Sequence, residues 1–133
     1  MARNFGVIDS SLWADKDFEN EPFEIPAFYA YLCSNSECNL IGLYQTTHTL
    51  IKGHTNLHIG AIEMYAQRLE FLKKIERENG FWWIRGMGKR LYENKKWIKR
   101  AYQLWKQLPD DLELKKHFSL KYKELAIPYP KKE

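Results

Sequence analysis

The sequence predicts a mainly α-helical fold with a small β-hairpin wing: a winged helix-turn-helix carrying a C-terminal helical extension. Three observations point to it. A short helix and a longer one are joined by the polar link His54-Thr55-Asn56. Asn79-Gly80 then stands between two strand-like runs, and two further amphipathic stretches follow. The chain has 133 residues, 44% of them hydrophobic and 15% aromatic, enough to bury one core and too apolar for disorder. Its uncharged stretch Ile25 to Ser36, broken by Pro26, Ser34 and Asn35, falls far short of the roughly 20 apolar residues a bilayer requires. The first residues lack the apolar run of a secretory signal, and two cysteines are too few for a disulfide scaffold. A soluble, intracellular protein is the expectation.

The opening, up to Glu24, has no clear period. Phe5, Val7, Ile8, Leu12, Trp13 and Phe18 read as a strand or arm packed on the domain. Ile25, Phe28, Tyr29 and Leu32 recur at helical spacing, with Pro26 in the first turn and Ser34-Asn35-Ser36 as a stop. Asn39 to Thr46 reads as a short strand interrupted by Gly42. The run Thr46 to Gly53 describes a helix of about two turns, with a threonine cap and a terminal glycine. A longer helix spans about Leu57 to Lys74, its apolar stripe being Ile59, Ile62, Ala66, Leu69 and Leu72. Asn-Gly between Ile75-Glu76-Arg77-Glu78 and Phe81-Trp82-Trp83-Ile84 is the strongest short-range hairpin signal, because the primed turn needs positive φ at both central residues. In that hairpin Trp82 and Trp83 face opposite sides, one packing on the core and the other free for a partner, a nucleobase or the C-terminal helix. A helix from about Leu91 to Leu108 and a last one from about Leu112 to Leu125 complete the reading. The domain limits are 1–90 for the winged helix with its arm, 91–126 for the extension, and 127–133 for a loose tail.

Charge is uneven along the chain. Residues 1–45 hold two basic against seven acidic residues (−5), residues 46–108 thirteen against five (+8), and residues 109–133 six against five (+1). A basic middle on an acidic base suits a protein that turns one side toward an anionic polymer, although a solvated basic face would read the same way.

Three stretches carry a resemblance. They are Met1-Ala2-Arg3-Asn4 with Ile8 to Trp13 and Asp17-Phe18; Tyr29 to Ser36 followed by Asn39-Leu40-Ile41-Gly42-Leu43-Tyr44; and Tyr122-Lys123-Glu124-Leu125-Ala126-Ile127-Pro128-Tyr129-Pro130. Together they resemble the N-terminal domain of phage replisome organisers, related to the DnaD family of bacterial replication initiation proteins. These motifs are structural, not catalytic. The resemblance implies a non-enzymatic winged helix that binds double-stranded DNA at a replication origin, in the cytoplasm of a bacterial or phage-infected cell. It also implies a homodimer or higher homo-oligomer, with a helicase or its loader as a further partner, no cofactor and no membrane.

On this reading the DNA contacts fall to Lys52, His54, Thr55, Asn56, His58, Ala61, Gln67 and Arg68 of the helical pair and to Arg77, Arg85, Lys89 and Arg90 at and after the wing. On the outer faces of the longer helix, His58, Ala61, Met64, Gln67 and Arg68 include only one fixed positive charge, and Glu63 sits among them. Binding should therefore rest on phosphates, aided by the helix after the wing, with modest sequence preference. Trp97, Leu104 and Trp105 lie on a wide apolar stripe that a small winged helix would leave exposed, which marks them for oligomerisation. The extension would then fold back over the Phe5–Phe18 segment or pair with a second copy.

Competing constellations are weaker. Cys33-x4-Cys38 and His54-x3-His58 approach zinc-ligand spacing, but the fifteen residues between the pairs exceed the roughly twelve of a finger. Gly86-Met87-Gly88-Lys89-Arg90 lacks the earlier glycine (Trp83 stands there) and the Ser or Thr (Arg90 stands there) of a P-loop. It could still hold a DNA phosphate. Two other functions remain open: a winged-helix module for protein interaction or oligomerisation, and a transcriptional regulator.

Overall fold

The computed structural model describes residues 8–123. Helix α1 (Glu24–Ser34) leads to strand β1 (Leu43–Gln45), then to α2 (His48–Thr55) and α3 (Ile59–Phe71). The hairpin β2 (Ile75–Glu78) and β3 (Phe81–Ile84) follows, and then α4 (Arg90–Glu93), α5 (Ile98–Lys106) and α6 (Glu113–Lys121). The described chain is mainly helical with a small three-stranded antiparallel sheet, in the order β1-β3-β2.

Strand alternation explains the layering. Side chains of the central strand point alternately to the two faces, so Trp82 and Ile84 enter one core and Trp83 another. On the first face, Trp82, Ile84, Ile75 and Tyr44 pack against Phe28, Leu32, Ile51, Ile62, Ala66 and Leu69 of α1, α2 and α3. On the second, Trp83, Leu43 and Ile41 pack against Leu91, Ala101, Leu108, Leu112, Phe118 and Tyr122. The extension thus covers the back of the sheet. Both tryptophans are buried, and neither is left for a partner.

Local chemistry sets the element ends. Thr47 Oγ1 accepts from the Leu50 N–H at 3.0 Å and caps α2. Gly53 does not end that helix; Asn56 does, with φ 61. Asn tolerates this left-handed conformation better than most residues. At the hairpin, Asn79 (φ 51) and Gly80 (φ 84) make the turn that their pairing predicts. Asn35 Nδ2 donates to the Tyr44 hydroxyl (3.0 Å), which itself donates to the Leu32 carbonyl (2.8 Å), tying α1 to β1 in the core.

Several expectations differ. Of the strand or arm expected for the opening, the described part is an arm packed on the domain, built of two 3-10 turns, Ser10–Ala14 and Lys16–Phe18, and not a strand. Asp9 and Asp15 carboxylates cap them, and Leu12 and Phe18 reach the first core. The stretch 91–108 is not one helix. Asn94 (φ −129, ψ 60) interrupts it, so α4 ends early and a 3-10 turn, Lys95–Trp97, precedes α5. The strand expected over 39–46 shrinks to three residues because Asn39 accepts from the N–H groups of Ile41 and Gly42 and turns the chain. Phe5, Val7, the Met1–Asn4 and Ile127–Pro130 motifs and the expected tail lie outside the described residues. No helix among the described residues is long and apolar enough to cross a membrane.

Candidate nucleic-acid interface

The turn between α2 and α3 gathers five of the expected contact residues. Lys52 and His54 are exposed on the last turn of α2, Asn56 follows, and exposed His58 opens α3. Thr55 Oγ1 donates to the Ile51 carbonyl (2.8 Å) and accepts from the Leu57 N–H (3.2 Å), which fixes the bend. His54 Nδ1 lies 2.7 Å from the Tyr31 hydroxyl, so α1 orients its ring. Burial with Glu37 nearby pushes the Tyr31 hydroxyl up to about 12, which keeps it protonated and able to donate.

The outward face of α3 is different in kind. At 100° per residue, Gly60, Met64, Gln67 and Phe71 fall in one line, and all four are exposed. Met64 is 61% and Phe71 70% exposed, while Ile59, expected in the core, is 48% exposed. Ala61 is half-buried beside this line. Gln67 Nε2 donates to Glu63 Oε2 at 2.9 Å. Arg68 makes a two-pronged pair with Glu21 and covers the Phe71 ring at 4.8 Å. This face therefore presents apolar surface and one amide rather than a row of donors for base edges.

Arg77 is engaged inside the fold. The β2 alternation aims it at α3, where Glu63 and Glu70, seven residues apart, share a face. Its guanidinium donates to Glu63 (2.8 and 2.9 Å) and to Glu70 (2.8 and 2.9 Å) and lies 5.0 Å over the Trp82 ring. His48 Nε2 is a further 2.7 Å partner of Glu63. The bonds from Arg77, then those from Gln67 and His48, hold the Glu63 carboxyl far below the ordinary carboxylate range. Arg77 pins the hairpin to α3.

Arg85 is also held. It donates to the Lys73 carbonyl (3.0 Å), lies 3.2 Å from Glu76 and stands over Trp83, while its own carbonyl accepts from the Tyr122 hydroxyl. Exposed Lys89 and half-buried Arg90 line a cleft of about 640 Å³ with Lys73, Lys121, Asp9 and Glu93. Burial, and then the charges of Arg85 and Lys89, lower the Lys121 ammonium, a sign that cations crowd there. Gly88 of the 86–90 loop has a packing role. A Cβ on Gly88 would lie 2.7 Å from the Tyr122 ring.

Trp97 is 41% exposed, whereas Leu104 and Trp105 are half-buried against the second core. Trp105 Nε1 donates to the Lys115 carbonyl (3.0 Å), and the buried Lys115 ammonium stands 4.5 Å over the Trp105 ring. Cys33 and Cys38 are buried, and burial, with Cys38 nearby, pushes the Cys33 thiol up to about 12. Among the described residues no three His, Cys, Asp or Glu side chains come together as a metal site would require.

Sequence reading thus found the α2–α3 turn but missed that Arg68, Arg77 and Arg85 are paired. The signal for Arg77 was present in the i, i+7 spacing of Glu63 and Glu70 facing an inward strand position. Comparison with protein-family models, curated proteins and solved structures finds no match.

Proposed function

We propose that residues from α1 to β3 form a winged helix and that the chain is a non-enzymatic binder of double-stranded DNA. The resemblance of its sequence to phage replisome organisers supports a role in replication initiation, with a second copy and a helicase or its loader as protein partners. The observation that carries the reading is the α2–α3 turn, where Lys52, His54, Asn56 and His58 project together into solvent. In a helix-turn-helix this end of the second helix meets the groove and the flanking phosphates. Arg68, Arg77 and Arg85 leave the contact set because carboxylates or carbonyls already occupy them. What remains favours phosphate contacts over base reading.

Lys52→Glu combined with His58→Glu tests it. Both side chains are exposed, so stability should stay within about 0.5 kcal/mol. Duplex affinity at low salt, followed by fluorescence anisotropy, should fall about tenfold or more. Unchanged affinity would remove the turn from the interface.

The apolar stripe of α3 favours a second reading, a winged helix used for assembly. Exposed Met64 and Phe71 resemble the centre of a protein interface more than a base-reading edge. Under this reading the same double variant leaves DNA behaviour untouched, and the wild type associates in sedimentation without DNA.

A further inference from the structure

We infer that α5 carries a second nucleic-acid-binding surface, on the other side of the sheet from α3, that takes a phosphate backbone independently of the α2–α3 turn. Between Asn94 and Pro109 the sequence has five basic residues and no acidic one. The structure sorts them onto one side. Ala101 is buried in the second core, with Ile98, Tyr102, Leu104 and Trp105 packed around it. The opposite side of the helix, Lys99, Arg100, Gln103 and Lys106, is exposed, as are Lys95 and Lys96 on the turn before it.

Several cations elsewhere in the protein are neutralised. Arg68 is paired with Glu21, Lys74 with Asp15 and Asp17, Arg77 with two glutamates, and Lys115 with Asp110. None of the five cations of 94–109 is in an ion pair with a described carboxylate. Lys96 and Lys106 lie over ring faces, those of Trp97 and Tyr102, each at 5.9 Å. Like charges gathered on one face repel one another, and that cost is relieved by a polyanion whose condensed counterions are released on contact. Lys99 and Lys106 are seven residues apart, about 10 Å along the helix, so they can meet successive phosphates of one strand. Exposed Trp97 beside Lys96 adds a face on which an unpaired base can stack.

Position makes this surface separate. Trp82 faces α3 and Trp83 faces the α5 layer, so the sheet stands between the two helices. A straight duplex lying on the α2–α3 turn does not also lie along α5.

The triple variant Lys99→Gln, Arg100→Gln, Lys106→Gln tests the inference in the full chain. Glutamine keeps helix propensity, and all three side chains are exposed, so the melting temperature should not move. Affinity for a labelled duplex and for a labelled single strand is measured across a salt series. The inference predicts that affinity for at least one of them falls about tenfold or more. The log–log salt slope should fall by about 2 to 3, at roughly 0.9 per phosphate for duplex or 0.7 for single strand. Arginine at 99 and 106 should preserve binding. A single-strand effect accompanied by a change in tryptophan fluorescence that Trp97→Leu abolishes assigns the surface to unpaired nucleic acid; a duplex effect without it assigns it to the duplex. The Lys52→Glu, His58→Glu variant separates this inference from the proposed turn interface: loss in that variant alone overturns the α5 surface and keeps the turn, and the reverse does the opposite. Unchanged affinity and slope in the triple variant, or binding to anionic phosphatidylserine vesicles with none to nucleic acid, overturns the inference.

Discussion

Replacing Trp83 with alanine is expected to destabilise the protein by about 3–5 kcal/mol, the usual cost of removing a large aromatic from a packed core. Trp83 sits on the central strand, is 1% exposed, and packs its ring 6.0 Å from that of Phe118. It is the largest side chain joining the sheet to α5 and α6, so the cavity would open at the seam between layers. Trp83→Phe should cost far less. The indole N–H is buried with no hydrogen-bond partner among the described residues, and phenylalanine removes that donor along with part of the area. Denaturant unfolding of both variants measures the difference. A cost below about 1 kcal/mol for the alanine variant would mean that α4 to α6 do not rest on the sheet.

Gly42→Ala should be nearly as severe, about 2–5 kcal/mol from two additive sources. Gly42 has φ +72, a conformation that costs an L residue roughly 1–2 kcal/mol. A Cβ there would also meet Met87 Cβ at 2.8 Å and the Ile84 carbonyl oxygen at 3.1 Å, an overpacking cost of about 1–3 kcal/mol. The Ile84 N–H donates to the Gly42 carbonyl at 2.7 Å, so the chain cannot swing away without losing a sheet bond. Gly53→Ala provides the contrast. That glycine lies inside α2 with nothing within 4 Å of the new methyl, and alanine should stabilise by about 0.5–1 kcal/mol. Thermal unfolding of the two variants should therefore move in opposite directions.

What was legible in the sequence was what depends on near neighbours. The Asn79-Gly80 turn, the Thr47 cap and the opposite facing of Trp82 and Trp83 follow from local backbone chemistry and a period of two. The α3 core positions Ile62, Ala66 and Leu69 follow from a period of 3.6. What depends on distant partners was not legible. Arg77 and Lys89 look alike in sequence, yet one is clamped by two glutamates of α3 and the other is exposed. Gly86-Met87-Gly88 reads as a possible phosphate loop until Tyr122, far along the chain, is seen filling the space above Gly88. The apolar stripe of 97–108 reads as a surface for the Phe5–Phe18 segment or for a second copy, because nothing local reveals that the back of the sheet, through Ile41, Leu43 and Trp83, is there to receive much of it, while Leu12 and Phe18 go to the other core. The placing of charge was only partly legible for the same reason. The count over 46–108 is strongly positive, but internal pairing leaves much of the unpaired share on α5.

The most direct test of DNA binding is a salt titration of the unaltered protein against a duplex of unrelated sequence. With about four to six phosphates neutralised, affinity should fall on the order of a hundredfold to a thousandfold between 50 and 200 mM salt, along a straight log–log line. Absence of binding at the lowest salt, or an affinity that does not change across the series, would contradict the account.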